Sequence, residues 1–121
     1  MANDVKSVAE GMADIARSGR IGRPVFVRWT ETVRERGAAA QSAADTAVGH
    51  VSDWMGAAPD RQTVVGSPEA GNLTLFCAWD SGQSAIVATG VASADDRPGL
   101  DIALIGSSGA AYHEGSTEIS A

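Results

Sequence analysis

The chain reads as an α+β domain in which N-terminal helices, one of them long and breakable near Gly37, pack on an antiparallel meander of about four strands. Three observations lead there. Apolar residues recur at three- and four-residue intervals through the N-terminal half. From "MGAAPD" onward the pattern changes to short apolar runs parted by glycine, proline, aspartate and serine. The joints between those runs are too short for crossovers, so successive runs pair antiparallel. A length of 121 residues, 44% of them apolar and 20% charged, makes one domain with its own core. Residues 1–113 form that domain, and 114–121, reading EGSTEISA, a polar tail.

The first helix starts at Asn3 or Asp4, whose side chains suit an N-cap, and Val5, Val8, Met12 and Ile15 form its apolar stripe. Gly19 stops it. After the connection "RIGRP", Pro24 suits the first turn of a second helix running from about Val25 to Met55. Phe26, Trp29, Val33, Ala40, Ala44, Ala47, Val51 and Met55 continue the helical repeat, although Val-Phe-Val at the start also favours a brief strand before Trp29. A rod of that length would measure about 46 Å, against a domain diameter of about 35 Å. It must break at Gly37 or project to a partner. Its stretch "GAAAQSAADTA" carries small side chains that let a sheet, or another helix, come close.

Strands follow near Gln62–Gly66, Asn72–Trp79, Gln83–Ala92 and Leu100–Gly106, with a short one around Ala111–His113. Asp80-Ser81-Gly82 predicts a three-residue hairpin with its glycine left-handed, placing Cys77 opposite Ala85 and Leu75 opposite Val87. Cys77 then shares an apolar face with Leu73, Leu75 and Trp79, where a thiol keeps its proton and is inert. The serine of "GQSAI" lacks the second glycine and the following helix of a nucleophile elbow. The opposite face, with Thr74, Phe76, Ala78, Ile86 and Ala88, is also largely apolar. A sheet with one side in water alternates apolar and polar residues; this one does not, so with helices on one face the other is expected to meet the second helix segment, a second copy of the chain or a ligand, a symmetric homodimer being the commonest solution. Leu73, Leu75, Phe76, Trp79, Ala40 and Ala44 are the association candidates.

The net charge of −6 is unevenly spread. From Arg17 to Arg36 six arginines stand against Glu31 and Glu35, while the remainder holds three basic and thirteen acidic residues. The acidic majority argues against a general nucleic-acid binder. On a helix Arg28 and Arg34 would each lie within reach of Glu31, leaving Arg20 and Arg23 as the candidates for an anion or an acidic partner. His50 and Asp53 share one side of the second helix and, with His113 and Glu114, could supply metal ligands or an acid–base pair. "GSSGAAYHEG" is a turn before it is an anion cradle.

The function this implies is a non-catalytic oligomeric or accessory subunit, associating through its apolar sheet face and alanine-rich helix, with room for a small ligand. The alternatives are a small metal-dependent or acid–base enzyme using His50, Asp53 and His113, and an adaptor for nucleic acid or an acidic partner through Arg20 and Arg23. No pattern calls for a cofactor. A single cysteine, no leader-like apolar stretch and no membrane-length run lead us to expect a cytoplasmic protein away from membranes.

Overall fold

A computed structural model describes residues 5–35, 37–92 and 98–115. Two helices and six strands follow in the order α1 (Val5–Ser18), β1 (Pro24–Val33), α2 (Ala38–Met55), β2 (Arg61–Ser67), β3 (Asn72–Ala78), β4 (Ser84–Val91), β5 (Leu100–Gly106) and β6 (Ala110–His113). The strands form a single sheet in the order β2-β3-β4-β1-β5-β6. All pairs are antiparallel except β1 with β4, which run parallel. The sheet is therefore mixed and six-stranded, where four antiparallel strands were expected.

The correction comes from residues 24–33. The segment expected as the first third of a long helix is a strand, and it is the one that inserts between β4 and β5. Its composition explains this: Val25, Val27, Thr30, Thr32 and Val33 are β-branched, Phe26 and Trp29 aromatic, and such side chains fit a pleated surface better than a helical turn. Val27, Trp29 and Glu31 alternate into the core at two-residue spacing, all at most 8% exposed. An acidic residue in the third of those inward positions hides the alternation from a reading of hydrophobicity. Pro24 opens the strand instead of a helix, and its carbonyl accepts a hydrogen bond from Gln83 Nε2 at 2.7 Å.

Beyond Gly37 the expected helix is present. Its 18 residues span about 27 Å, within the width of a domain this size. It ends at Gly56, left-handed at φ 89°, whose N–H meets the carbonyls of Ser52 and Asp53. Ala40, Ala44 and Ala47 are fully buried, because the small side chains let α2 lie close on β4 and β1. α1 packs beside α2 and reaches β6. It ends at Ser18, ahead of Gly19 at φ 80°, as expected; the cap proposed at Asn3 or Asp4 lies outside the described residues.

The hairpin follows the expected register. Cys77 faces Ala85 and Leu75 faces Val87, Trp79 N–H donates to the Gln83 carbonyl, and Gly82 is left-handed at φ 96°. The remaining strands lie within two residues of their expected bounds. At the start of the tail, Gly115 accepts from Leu100 N–H at 2.8 Å; residues 116–121 lie outside the described set. Among the described residues no helix is long and apolar enough to cross a membrane.

Candidate functional site

Both helices lie on one side of the sheet. Register sorts the strand residues into two faces: Val27, Trp29 and Glu31 of β1 align with Ala85, Val87 and Thr89 of β4 and with Leu104, Ile102 and Leu100 of β5 beneath the helices. The opposite face carries Phe26, Arg28 and Thr30 on β1, Phe76 on β3, Ile86 and Ala88 on β4, and Asp101, Ala103 and Ile105 on β5. No described element packs over it. Phe76 is 44% exposed, and Phe26, Ile86, Ala88 and Ile105 are half-buried by their neighbours alone. Val65 and Tyr112, exposed, stand towards its two edges.

Two charges sit in this apolar field. Arg28 pairs in register with Ala103, and Asp101 with Thr30, so the two are diagonal neighbours on β1 and β5. Both are exposed, and neither belongs to the ion pairs formed among the described residues, Arg17–Asp53 and Arg61–Asp80. The pairing of Arg28 with Glu31 expected on a helix is absent, because three residues apart on a strand place them on opposite faces.

Of the six association candidates, Phe76 alone stands on the open face. Leu73, Leu75 and Trp79 are 2–4% exposed beneath the helices, and Ala40 and Ala44 are fully buried in the protomer's own helix–sheet contact. The alanine stripe is thus occupied by the sheet and is not a surface. Reading the segment around Trp29 as helix concealed Phe26 and Arg28; reading it as a strand makes both visible as outward positions.

His50, Asp53 and His113 do not form one site. His50 stacks on Trp29, with ring centroids 5.9 Å apart and planes within 7°, and lines a hollow with Asp53 and Trp54. Asp53 Oδ2 accepts from Arg17 at 2.9 Å. His113 lies on β6 in a separate hollow with Val8, Met12 and Ile15, which shares no lining residue with the first. Among the described residues no three His, Cys, Asp or Glu gather as metal ligands would. Trp54 packs as a plug at the end of α2, tilted 31° on Trp29.

Arg20 and Arg23 flank a clasp between two loops and are both exposed. Ser107 N–H donates to the Arg23 carbonyl, Ser108 N–H to that of Ile21, and Arg23 N–H to Ser107 Oγ. The amides that would cradle an anion are spent on this clasp, and the glycine-serine cluster is the β5–β6 turn. Gly106 is required there, since a Cβ would run into the Ile21 carbonyl. Cys77 is 3% exposed, and burial pushes its thiol pKa up, against a smaller opposing effect of the Gln62 amide.

Glu31 is a residue the sequence reading missed as a site. It is 8% exposed beneath α2, its Oε1 accepts from Trp29 Nε1 at 3.0 Å, and burial raises its pKa more than that hydrogen bond lowers it. Two-residue periodicity from Val27 was the signal available for it.

No family model matches the chain, and no curated protein matches it significantly. Solved structures do. One is described as the crystal structure of a probable dehydrogenase from Thermotoga maritima, superposing with a TM-score of 0.71 at 14% identity over 88% of this chain. The match spans 38% of that protein's length. At this identity the likeness concerns the fold alone: this chain shares the fold of one part of that longer protein.

Proposed function

We propose that this chain is a non-catalytic association module, and that a second copy of itself covers the open face of its sheet. The observation that carries the reading is the apolar field of Phe26, Phe76, Ile86 and Ile105 with Arg28 and Asp101 side by side inside it. A two-fold axis passing between those two charges lays Arg28 of each copy against Asp101 of the other, giving a self-complementary contact. Six strands about 4.8 Å apart and seven residues long make a face of roughly 650 Å² in projection. A stable interface takes about 800 Å² of accessible surface from each partner, and a corrugated face of that footprint supplies an area of this order. Packing two sheets face to face is an ordinary way of burying such surfaces.

Light scattering on the purified chain tests it. The expected mass is twice that of one chain, Phe76→Glu is expected to yield a folded monomer, and Leu75→Glu, aimed under the helices, an unfolded chain. A wild-type chain that stays monomeric at working concentration, or a Phe76→Glu variant that remains dimeric, overturns the reading.

A further inference from the structure

The helix-covered side of the sheet holds a feature that association through the open face does not use. Glu31 lines a hollow of about 360 Å³ together with Val5, Ala39, Ser42, Ala43 and Thr46, a volume at the small end of ligand sites. We propose that this hollow binds a small aliphatic amine as its ammonium ion, with the Glu31 carboxylate as counter-ion.

The chemistry of the lining supports this class of ligand. A carboxylate that is 8% exposed needs a cationic or strongly donating partner to be stable in its charged form. It accepts a hydrogen bond from a neutral donor, Trp29 Nε1. Among the described residues the ion pairs lie elsewhere, at Arg17–Asp53 and Arg61–Asp80, and Arg28 projects from the other face of the sheet. The rest of the wall divides by chemistry. Val5, Ala39 and Ala43 offer apolar contact for an alkyl chain, while Ser42 and Thr46 carry hydroxyls that can accept the remaining ammonium protons. A neutral ligand would satisfy the hydroxyls and leave the buried carboxylate without a counter-charge. An anion would meet it with like charge. The site therefore discriminates by charge first and by chain length second.

Trp29 supplies the readout. Its indole N–H touches the carboxylate that the amine would approach, whereas the indole of Trp79 donates to the Ala57 carbonyl at 2.8 Å, away from the hollow. Two-dimensional nitrogen–proton spectra of the whole chain are expected to show one indole signal for each of its three tryptophans, to be assigned by single Trp→Phe exchanges. Titration with n-butylammonium chloride at constant ionic strength is expected to move the Trp29 indole signal saturably in the millimolar range, leaving that of Trp79 in place. n-Butanol is expected to move it at least tenfold less effectively. Glu31→Gln, which keeps an acceptor for Trp29, is expected to weaken butylammonium binding tenfold or more. Ala43→Leu, at a half-buried helix position that tolerates leucine, is expected to block it with Glu31 intact. Three results would overturn the proposal: an unmoved Trp29 signal, butanol acting as well as butylammonium, or unchanged binding in Ala43→Leu. The dimer reading is unaffected by any of them, since light scattering reads it separately.

Discussion

The indole N–H of Trp29 donates to Oε1 of Glu31 at 3.0 Å, so that two residues on the same face of one strand share a hydrogen bond inside the core. Burial holds the Glu31 carboxyl above its ordinary pKa, with the Trp29 hydrogen bond pulling part of the way back. The folded chain thus keeps this proton at pH values where the unfolded chain has released it. Its stabilising contribution is complete below the ordinary carboxylate pKa and is lost as pH rises through the folded one. Glu31→Gln is accordingly expected to melt above wild type at pH 8, with the gap narrowing towards pH 4. A kcal/mol of difference reads as about 4 °C in Tm for a domain of this size. Thermal melts at matched ionic strength check it, and a gap of constant size across that range would count against it.

Cys77 sits 3% exposed among the residues beneath the helices, with its thiol pKa raised by burial. Reagents that attack thiolates should find little of that form, and less access to it. Labelling by an aromatic disulfide at pH 8 is expected to run about a hundredfold or more slower in the folded chain than in denaturant, since it waits on opening of the structure. Comparable rates in the two states would place the thiol outside the core.

Two glycines with different roles separate steric contact from backbone conformation. Gly106 has no room for a Cβ because the Ile21 carbonyl occupies its place, whereas Gly19, at φ 80°, has open space around it. Gly19→Ala is expected to cost about 1–2 kcal/mol, the strain of a left-handed alanine. Gly106→Ala carries no such backbone strain but must shift the loop clasp, and is expected to cost about 3 kcal/mol. Urea unfolding of both variants measures the difference; equal losses would mean that the clasp yields freely.

Arg28 and Asp101 allow a charge-exchange test of the proposed dimer. Arg28→Asp or Asp101→Arg alone places like charges across the two-fold and is expected to weaken association tenfold or more. The double exchange restores opposite charges and is expected to recover most of the loss, as sedimentation equilibrium would measure. Recovery is the decisive arm, since a loss caused by damaged folding would persist in the double variant.

Much of the C-terminal half was legible from residues because its cues are local. Asp80-Ser81-Gly82 specifies a turn, the turn specifies a register, and the register places Cys77 and Leu75 on one common face, while which face the helices cover depends on the rest of the chain. The partner of β4 was not legible in the same way. β1 lies some fifty residues upstream of its neighbours, and a preference for strand at Val25–Val33 becomes decisive only when edges of both β4 and β5 are present to receive it. Reading that segment as helix had two consequences for the site. It joined Arg28 to Glu31, which the sheet places on opposite faces, and it left Ala40 and Ala44 as an apparent surface when they are the contact on which α2 rests.

The insertion of β1 between β4 and β5 also bears on how the chain acquires its shape. Every backbone hydrogen bond that β1 makes in the sheet closes a loop of at least fifty residues, which gives this small domain a high contact order and slow formation of its centre. While a ribosome is still adding β5, the early strand Pro24–Val33, with its two aromatic rings, has at most one of its two flanking strands to pair with. During that interval the nascent chain is at its most vulnerable to chaperone capture and to aggregation with its own kind.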